Sequence, residues 1–120
     1  LLQYGNVNSL VFSPDGQTLA LGSSDLKIRL WNLETRNLLK TFIGNLTINK
    51  VAFSHDGKKI VAGSAEGKIK LWNISEEKEL QIFSPTEPTS TILMAVFSKD
   101  DKELITGSNI GGIKIWDVKS

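Results

Sequence analysis

Residues 11–31 read VFSPDGQTLALGSSDLKIRLW, and nearly the same string returns as AFSHDGKKIVAGSAEGKIKLW at 52–72 and VFSKDDKELITGSNIGGIKIW at 96–116. Phe12, Phe53 and Phe97 are 41 and 44 residues apart, as are Trp31, Trp72 and Trp116, and each Phe lies 19 residues before its Trp. Seven columns are identical in all three copies. They are the Phe, the next Ser (13, 54, 98), an Asp (15, 56, 100), a Gly–Ser pair (22–23, 63–64, 107–108), an Ile (28, 69, 113) and the Trp. Such register makes repetition of one supersecondary unit the governing feature of the chain.

Each copy reads as β structure. Val7 to Phe12 is rich in β-branched and apolar residues and ends at SPDG, which suits a type I turn: Ser first, Pro fixing φ at the second position, Gly fourth. The third copy has Asp101 in place of Gly16 and Gly57, a residue that tolerates positive φ. TLALGS forms a second strand. KIRLWN alternates, with Ile28 and Leu30 on one face and Lys27 and Arg29 on the other. A fourth strand near NLLKTFI, and again near KELQIFS, completes the unit. Four strands in about 41 residues with no helical period match one propeller blade. The chain is therefore expected to be all-β, with propeller blades of four antiparallel strands and three blades present. The repeats fall at about 1–36, 37–77 and 78–120 within one segment, 1–120.

The matching stretches FSPDG…LALGSSDLKIRLWN, FSHDG…IVAGSAEGKIKLWN and FSKDD…LITGSNIGGIKIWD resemble three consecutive WD repeats. Only the last carries a literal Trp–Asp, at Trp116–Asp117. The resemblance implies a ring of blades, each with a buried polar network of Trp, Ser or Thr, Asp and His. Trp31, Ser23 and Asp25 match in the first copy, and Trp72, Ser64 and Glu66 in the second. Trp116 and Ser108 match in the third, where Ile110 replaces the carboxylate. The family's Gly–His pair is missing: its places hold Leu2–Gln3, Ile43–Gly44 and Glu87–Pro88. Each indole N–H still needs an acceptor, and the remaining Ser is the candidate.

Propellers ordinarily close with four to eight blades. An open three-blade array would leave two apolar faces uncovered, each forfeiting on the order of 10 kcal/mol. That rivals the whole stability of a typical domain, about 5–15 kcal/mol. The expected arrangement is a segment of a larger closed propeller, with self-assembly of two chains into a six-bladed ring as the other solution.

Composition narrows the partners. Fourteen basic residues against thirteen acidic ones predict no dedicated nucleic-acid or anionic membrane surface. The longest apolar run, Ile92 to Phe97, is too short to cross a bilayer. With no cysteine and one histidine, no cofactor, metal or catalytic residue is assigned. Compartment stays open, with a cytoplasmic setting favoured.

The resemblance implies docking on the face formed by the fourth-to-first and second-to-third strand loops. The rim positions are Asn6, Asn8 and Ser24, then Thr47, Asn49 and Ala65, then Thr91, Leu93 and Asn109. None is a Trp, Tyr or Arg of the kind that dominates binding energy. The loop SPTEPTST at 84–91, with Pro85 and Pro88, could contact a partner or be a tolerated insertion. The recurring basic residues Lys27, Arg29, Lys68, Lys70 and Lys114 read as structural, and His55 as a solvated turn residue. The function expected is a non-catalytic scaffold or sensor segment mediating protein–protein interaction, with other proteins or further blades as partners. The alternative is part of a propeller hydrolase or lyase whose catalytic residues lie outside these repeats.

Overall fold

The computed structural model describes residues 5–83, 91–110 and 112–118. These form eleven strands: β1 Val7–Phe12, β2 Thr18–Ser23, β3 Lys27–Asn32, β4 Leu38–Ile43, β5 Ile48–Phe53, β6 Lys59–Ser64, β7 Ile69–Asn73, β8 Lys78–Phe83, β9 Ile92–Phe97, β10 Glu103–Ser108 and β11 Gly112–Asp117. No helix occurs among the described residues. The strands make three antiparallel sheets, β1-β2-β3-β4, β5-β6-β7-β8 and β9-β10-β11. The four-stranded blade is thus complete twice, and among the described residues the third sheet has three strands.

The identical columns have local causes. Ser13 and Asp15 cap the first hairpin turn: Ser13 Oγ donates to Asp15 Oδ1 at 2.5 Å, and the Gln17 and Thr18 amides donate to Asp15 Oδ1 and Ser13 Oγ. Ser54–Asp56 and Ser98–Asp100 repeat the same pattern at 2.6 and 2.8 Å. The fourth turn position takes positive φ in each copy, 74° at Gly16 and Gly57 and 61° at Asp101, so the aspartate adopts the glycine conformation.

The sheets stack face to face, and packing between them supplies the core. Ala20, Ile28 and Leu30 of the first sheet meet Ile48, Val51, Ile60, Ala62 and Trp72 of the second. Val61, Ile69 and Leu71, on the other face of the second sheet, meet Ile92, Ala95, Phe97 and Leu104 of the third. An outer-strand phenylalanine lies on the next sheet's tryptophan at both junctions: Phe42–Trp72 at 5.8 Å and Phe83–Trp116 at 5.2 Å between ring centroids. Such pairs add about 0.5–1.5 kcal/mol beyond the area they bury.

The invariant glycines set how closely the sheets approach. A Cβ on Gly22 would collide with Ile48 Cγ2, and one on Gly63 with Ile92 Cγ2. At Gly107, whose sheet has no neighbour on that side among the described residues, the nearest atom would be Met94 Cβ at 3.8 Å. Burial follows the same logic. Phe12 is 59% exposed and its equivalent Phe97 5%; Ile113 is 78% exposed and its equivalents Ile28 and Ile69 are fully buried.

One residue type at three equivalent positions therefore gives an internally controlled test. Gly63→Ala should lower stability in chemical denaturation by about 1–3 kcal/mol through overpacking. Gly107→Ala should be neutral or stabilising by up to about 1 kcal/mol, since alanine removes unfolded-state freedom at no steric cost. Equal losses at both positions would contradict this account of the glycine column.

Candidate functional site

The nine rim positions gather along one edge of the stack, and the first strand of each sheet carries a β-bulge there. The pairing skips one residue between Val7 and Ser9, between Ile48 and Lys50, and between Ile92 and Met94. The skipped residues are Asn8, Asn49 and Leu93. A bulge re-aims its side chain out of the ladder, and here the amide is aimed at the next sheet. Asn8 Nδ2 donates to the Ile48 carbonyl at 2.8 Å and Asn49 Nδ2 to the Ile92 carbonyl at 2.7 Å. Leu93 has no donor and is exposed.

The other rim residues tie two loops of one blade together. The Ser24 amide donates to Asn6 O at 2.9 Å, Ala65 to Thr47 O at 3.0 Å, and Asn109 to Thr91 O at 3.1 Å. Asn6 N–H reaches Ser24 Oγ, Thr91 N–H reaches Asn109 Oδ1, and Thr91 Oγ1 donates across the junction to Ala65 O. The Asn8 and Asn49 amides are thus engaged in holding blades together. Their recurrence 41 residues apart was the signal available in sequence, and its break at Leu93 marks the blade with no neighbour on that side among the described residues.

The expected polar network differs from its sequence reading. In the first blade Ser23 Oγ donates to Asp25 Oδ1, and Arg29 donates to Asp25 Oδ2 at 2.6 Å. Arg29, read as structural on the face opposite Ile28 and Leu30, is 7% exposed. Trp31 stays outside this network, and its Nε1 is buried without a hydrogen-bond partner among the described residues. In the second, Ser64 Oγ accepts the Glu66 and Lys68 amides at 3.2 and 2.9 Å, holding the turn. Trp72 instead packs on Phe42. In the third, Trp116 Nε1 donates to Thr106 Oγ1 at 2.9 Å, not to Ser108. The physical reason is reach: Thr106 pairs with Lys114 and Leu104 with Trp116, so the threonine shares the indole's face of the sheet. The first two copies carry Leu21 and Ala62 at that position and have no hydroxyl there.

Of the recurring basic residues, Lys70 pairs with Glu79 at 3.2 Å and Arg29 with Asp25, so both are held within the blades. Two further links across junctions had no sequence signal. Lys40 Nζ reaches the Ile74 carbonyl at 2.6 Å. His55 is an exposed turn residue, as read from the sequence; its amide donates to Asp101 Oδ1 at 2.8 Å, and its ring Nδ1 lies 2.9 Å from the same oxygen. Asp101 Oδ2 accepts the Asp56 amide at 3.0 Å. The loop 84–90 lies outside the described residues. Among the described residues no three His, Asp or Glu side chains are grouped to hold a metal ion, and no helix is long and apolar enough to cross a membrane.

This arrangement, stacked antiparallel blades with paired loops along one edge, is the architecture of a repeat protein of the β-propeller class. The family model described as WD domain, G-beta repeat matches residues 2–32 and 36–73, and the chain belongs to the WD40 family. A curated relative, the Periodic tryptophan protein 2 homolog of Dictyostelium discoideum, is 43% identical over 37 residues. That match covers 31% of this chain and 4% of the relative, so the chain spans a small fraction of that protein's length.

The turn and network aspartates make the fold acid-sensitive. The Arg29 guanidinium, with help from Ser23, holds the Asp25 carboxyl below its ordinary value despite partial burial. Ser54 does so for Asp56, again against burial. At Asp101 burial pushes upward, but the His55 and Asp56 hydrogen bonds outweigh it and the carboxyl is lowered. Groups with depressed folded values stabilise fully above their unfolded pKa and lose that contribution as pH falls through the folded value. The urea midpoint should hold from about pH 7 to about pH 5 and fall below about pH 4. Asp25→Asn should start lower at neutral pH and lose less on acidification. A midpoint that rises in acid would contradict these assignments.

Proposed function

We propose that this chain is a non-catalytic docking segment, whose rim loops present a fixed surface to partner proteins. WD40 repeats generally mediate protein–protein interaction, and the observation that carries the reading here is the double tie of each rim loop. Within a blade the loops bond to each other, and the Asn8, Asn49 and Thr91 side chains bond them to the neighbouring blade. Loops held this way lose little conformational freedom on binding, which lowers the entropic cost of association. The sequence-derived rim, Asn6, Asn8, Ser24, Thr47, Asn49, Ala65, Thr91, Leu93 and Asn109, is the proposed contact surface. In this reading Asn8 and Asn49 keep its shape while Asn6, Ser24 and Asn109 are exposed for contact.

The test is affinity capture with the full chain and with Asn6→Arg and Ala65→Arg. Asn6 uses its backbone in the loop tie, so the substitution leaves that tie in place. Captured partners should fall about tenfold or more while the circular dichroism spectrum is unchanged, because added bulk and charge in an interface are costly. Capture that is indifferent to both changes would contradict the rim. Turnover of ester, phosphate or glycan substrates by the full chain would favour the enzyme reading.

A second copy of the chain is an alternative partner favoured by one specific observation. Ile113 and Ile115 are exposed on the third sheet, while their equivalents Ile28, Leu30, Ile69 and Leu71 are buried against a following sheet. The first sheet exposes Leu10 and Phe12 on the side where the third receives the second. Head-to-tail pairing would bring these faces together. Light scattering on the full chain should then give a multiple of the protomer mass that collapses with Ile113→Asp; a monomer at all concentrations would dismiss this partner.

A further inference from the structure

The first junction is less well filled than the second. Leu39, skipped where the pairing passes from Leu30–Lys40 to Trp31–Leu38, is 50% exposed. Its equivalent Leu80 packs into the core of the second junction. Phe53 is only partly buried, whereas Phe97, at the same position one blade on, is buried. The turns account for the difference. His55 and Asp101 bond the turns of the second junction to each other, but their counterparts Pro14 and Gly57 offer neither an N–H nor a carboxylate for that bond. What stays open is a cavity of about 250 Å³ at the hairpin-turn end of the stack, away from the rim. Both of its walls, from the first and second sheets, belong to this chain, so further blades at either end of the stack would leave it in place.

Leu30, Leu39, Phe53 and Ile74 give the cavity an apolar lining, and the exposed Asp15 and Asp56 line its solvent side. Each carboxylate uses Oδ1 within its own turn, Asp15 on Ser13 and Gln17 and Asp56 on Ser54 and Lys58. The Oδ2 atoms receive no hydrogen bond among the described residues. Lys40, the lining cation among those residues, is held by the Ile74 carbonyl at 2.6 Å. Lys58 and Lys59 act on Asp56 from nearby but do not line the cavity. Two carboxylates against one ammonium leave a single negative charge in the lining. Open carboxylate oxygens favour a cationic donor, and the apolar lining favours a hydrocarbon body beside it. Small-molecule sites usually span roughly 300–1,000 Å³, so this one suits a ligand below drug size.

We infer that this cavity binds a small organic monocation, a primary amine on a short apolar body, with the ammonium at Asp15 and Asp56 and the body against Leu39, Phe53 and Ile74. The inference goes beyond the docking reading above. It concerns a small molecule, and its site lies at the other end of the blades from the rim.

The experiment is an amide-shift titration of the isotope-labelled full chain with 2-phenylethylammonium, its neutral counterpart 2-phenylethanol, and phenylacetate. Saturable shifts at Phe53, Gly57 and Ile74 are expected with the amine, in the millimolar range of so small a ligand. Phenylethanol should bind about fivefold more weakly, the size of effect a partly exposed ion pair produces, and phenylacetate more weakly still. Asp15→Asn should weaken the amine by a similar factor and leave phenylethanol unchanged. Leu39→Ser, on an exposed part of the wall, should weaken both. The double variant Pro14→His, Gly57→Asp gives the first junction the residues that bond the second. Gly57 at φ 74° already has the conformation that Asp101 takes at 61°, so the fold is kept. This variant should abolish binding with an unchanged circular dichroism spectrum. Absent or non-saturable shifts, equal affinity for the amine and phenylethanol, a preference for phenylacetate, or full binding by Leu39→Ser or the double variant would overturn the inference. Asn6→Arg, at the rim, should leave amine binding unchanged, so failure of the cavity and failure of the docking reading are told apart.

Discussion

The structure depends on how closely one twisted sheet can lie on the next. Gly22 and Gly63 leave room for Ile48 and Ile92, and a methyl group at either glycine would force the sheets apart. That approach brings Phe42 onto Trp72 and Phe83 onto Trp116 and buries Ile28, Leu30, Ile69 and Leu71. No blade has a core of its own, because a single sheet cannot bury its own faces; the hydrophobic gain appears only when blades stack. The middle sheet, covered on both sides, therefore carries the deepest burial in the molecule.

Polar chemistry is fitted into this stack to fix register and angle. The bulge in each first strand frees one side chain from the ladder, and in two blades that side chain is an asparagine long enough to reach the next sheet. At the first junction Pro14 sits near Gly57, where an added Cβ would lie 3.9 Å from its Cδ; at the second, their counterparts His55 and Asp101 are hydrogen-bonded. The junctions thus share their apolar pattern and the asparagine links and differ in the links between their turns. Function in such a fold comes from whatever the stiff stack holds in place, and in the proposed reading that is the loops on its rim.

The fold was legible in the sequence because its signal is a repeat, and repeats average out local ambiguity. Strand positions follow from alternation, and the Ser–x–Asp turns from their chemistry, down to Asp101 taking the glycine conformation. The site was less legible. Alternation put Arg29 opposite Ile28 and Leu30 but gave it no partner; Asp25, four residues earlier, holds its guanidinium, and strand periodicity does not register such a pair. The indole acceptor was sought among the identical serines, whereas Thr106, in a column that varies, shares the indole's face in the third sheet. Asn8 and Asn49 were visible as polar rim residues; that they tie blades together depends on bulges, which a single strand's pattern does not reveal.

Residue-level hydrogen exchange on the intact protein measures most directly whether stacking supplies the stability. Amides of β6 and β7, in the sheet covered on both sides, should exchange only through global opening and be the slowest in the chain. Those of β1 and β11 should exchange faster through local opening. Protection spread evenly over the three sheets, or greatest in the first or third, would mean that each blade is stable by itself and would contradict the account.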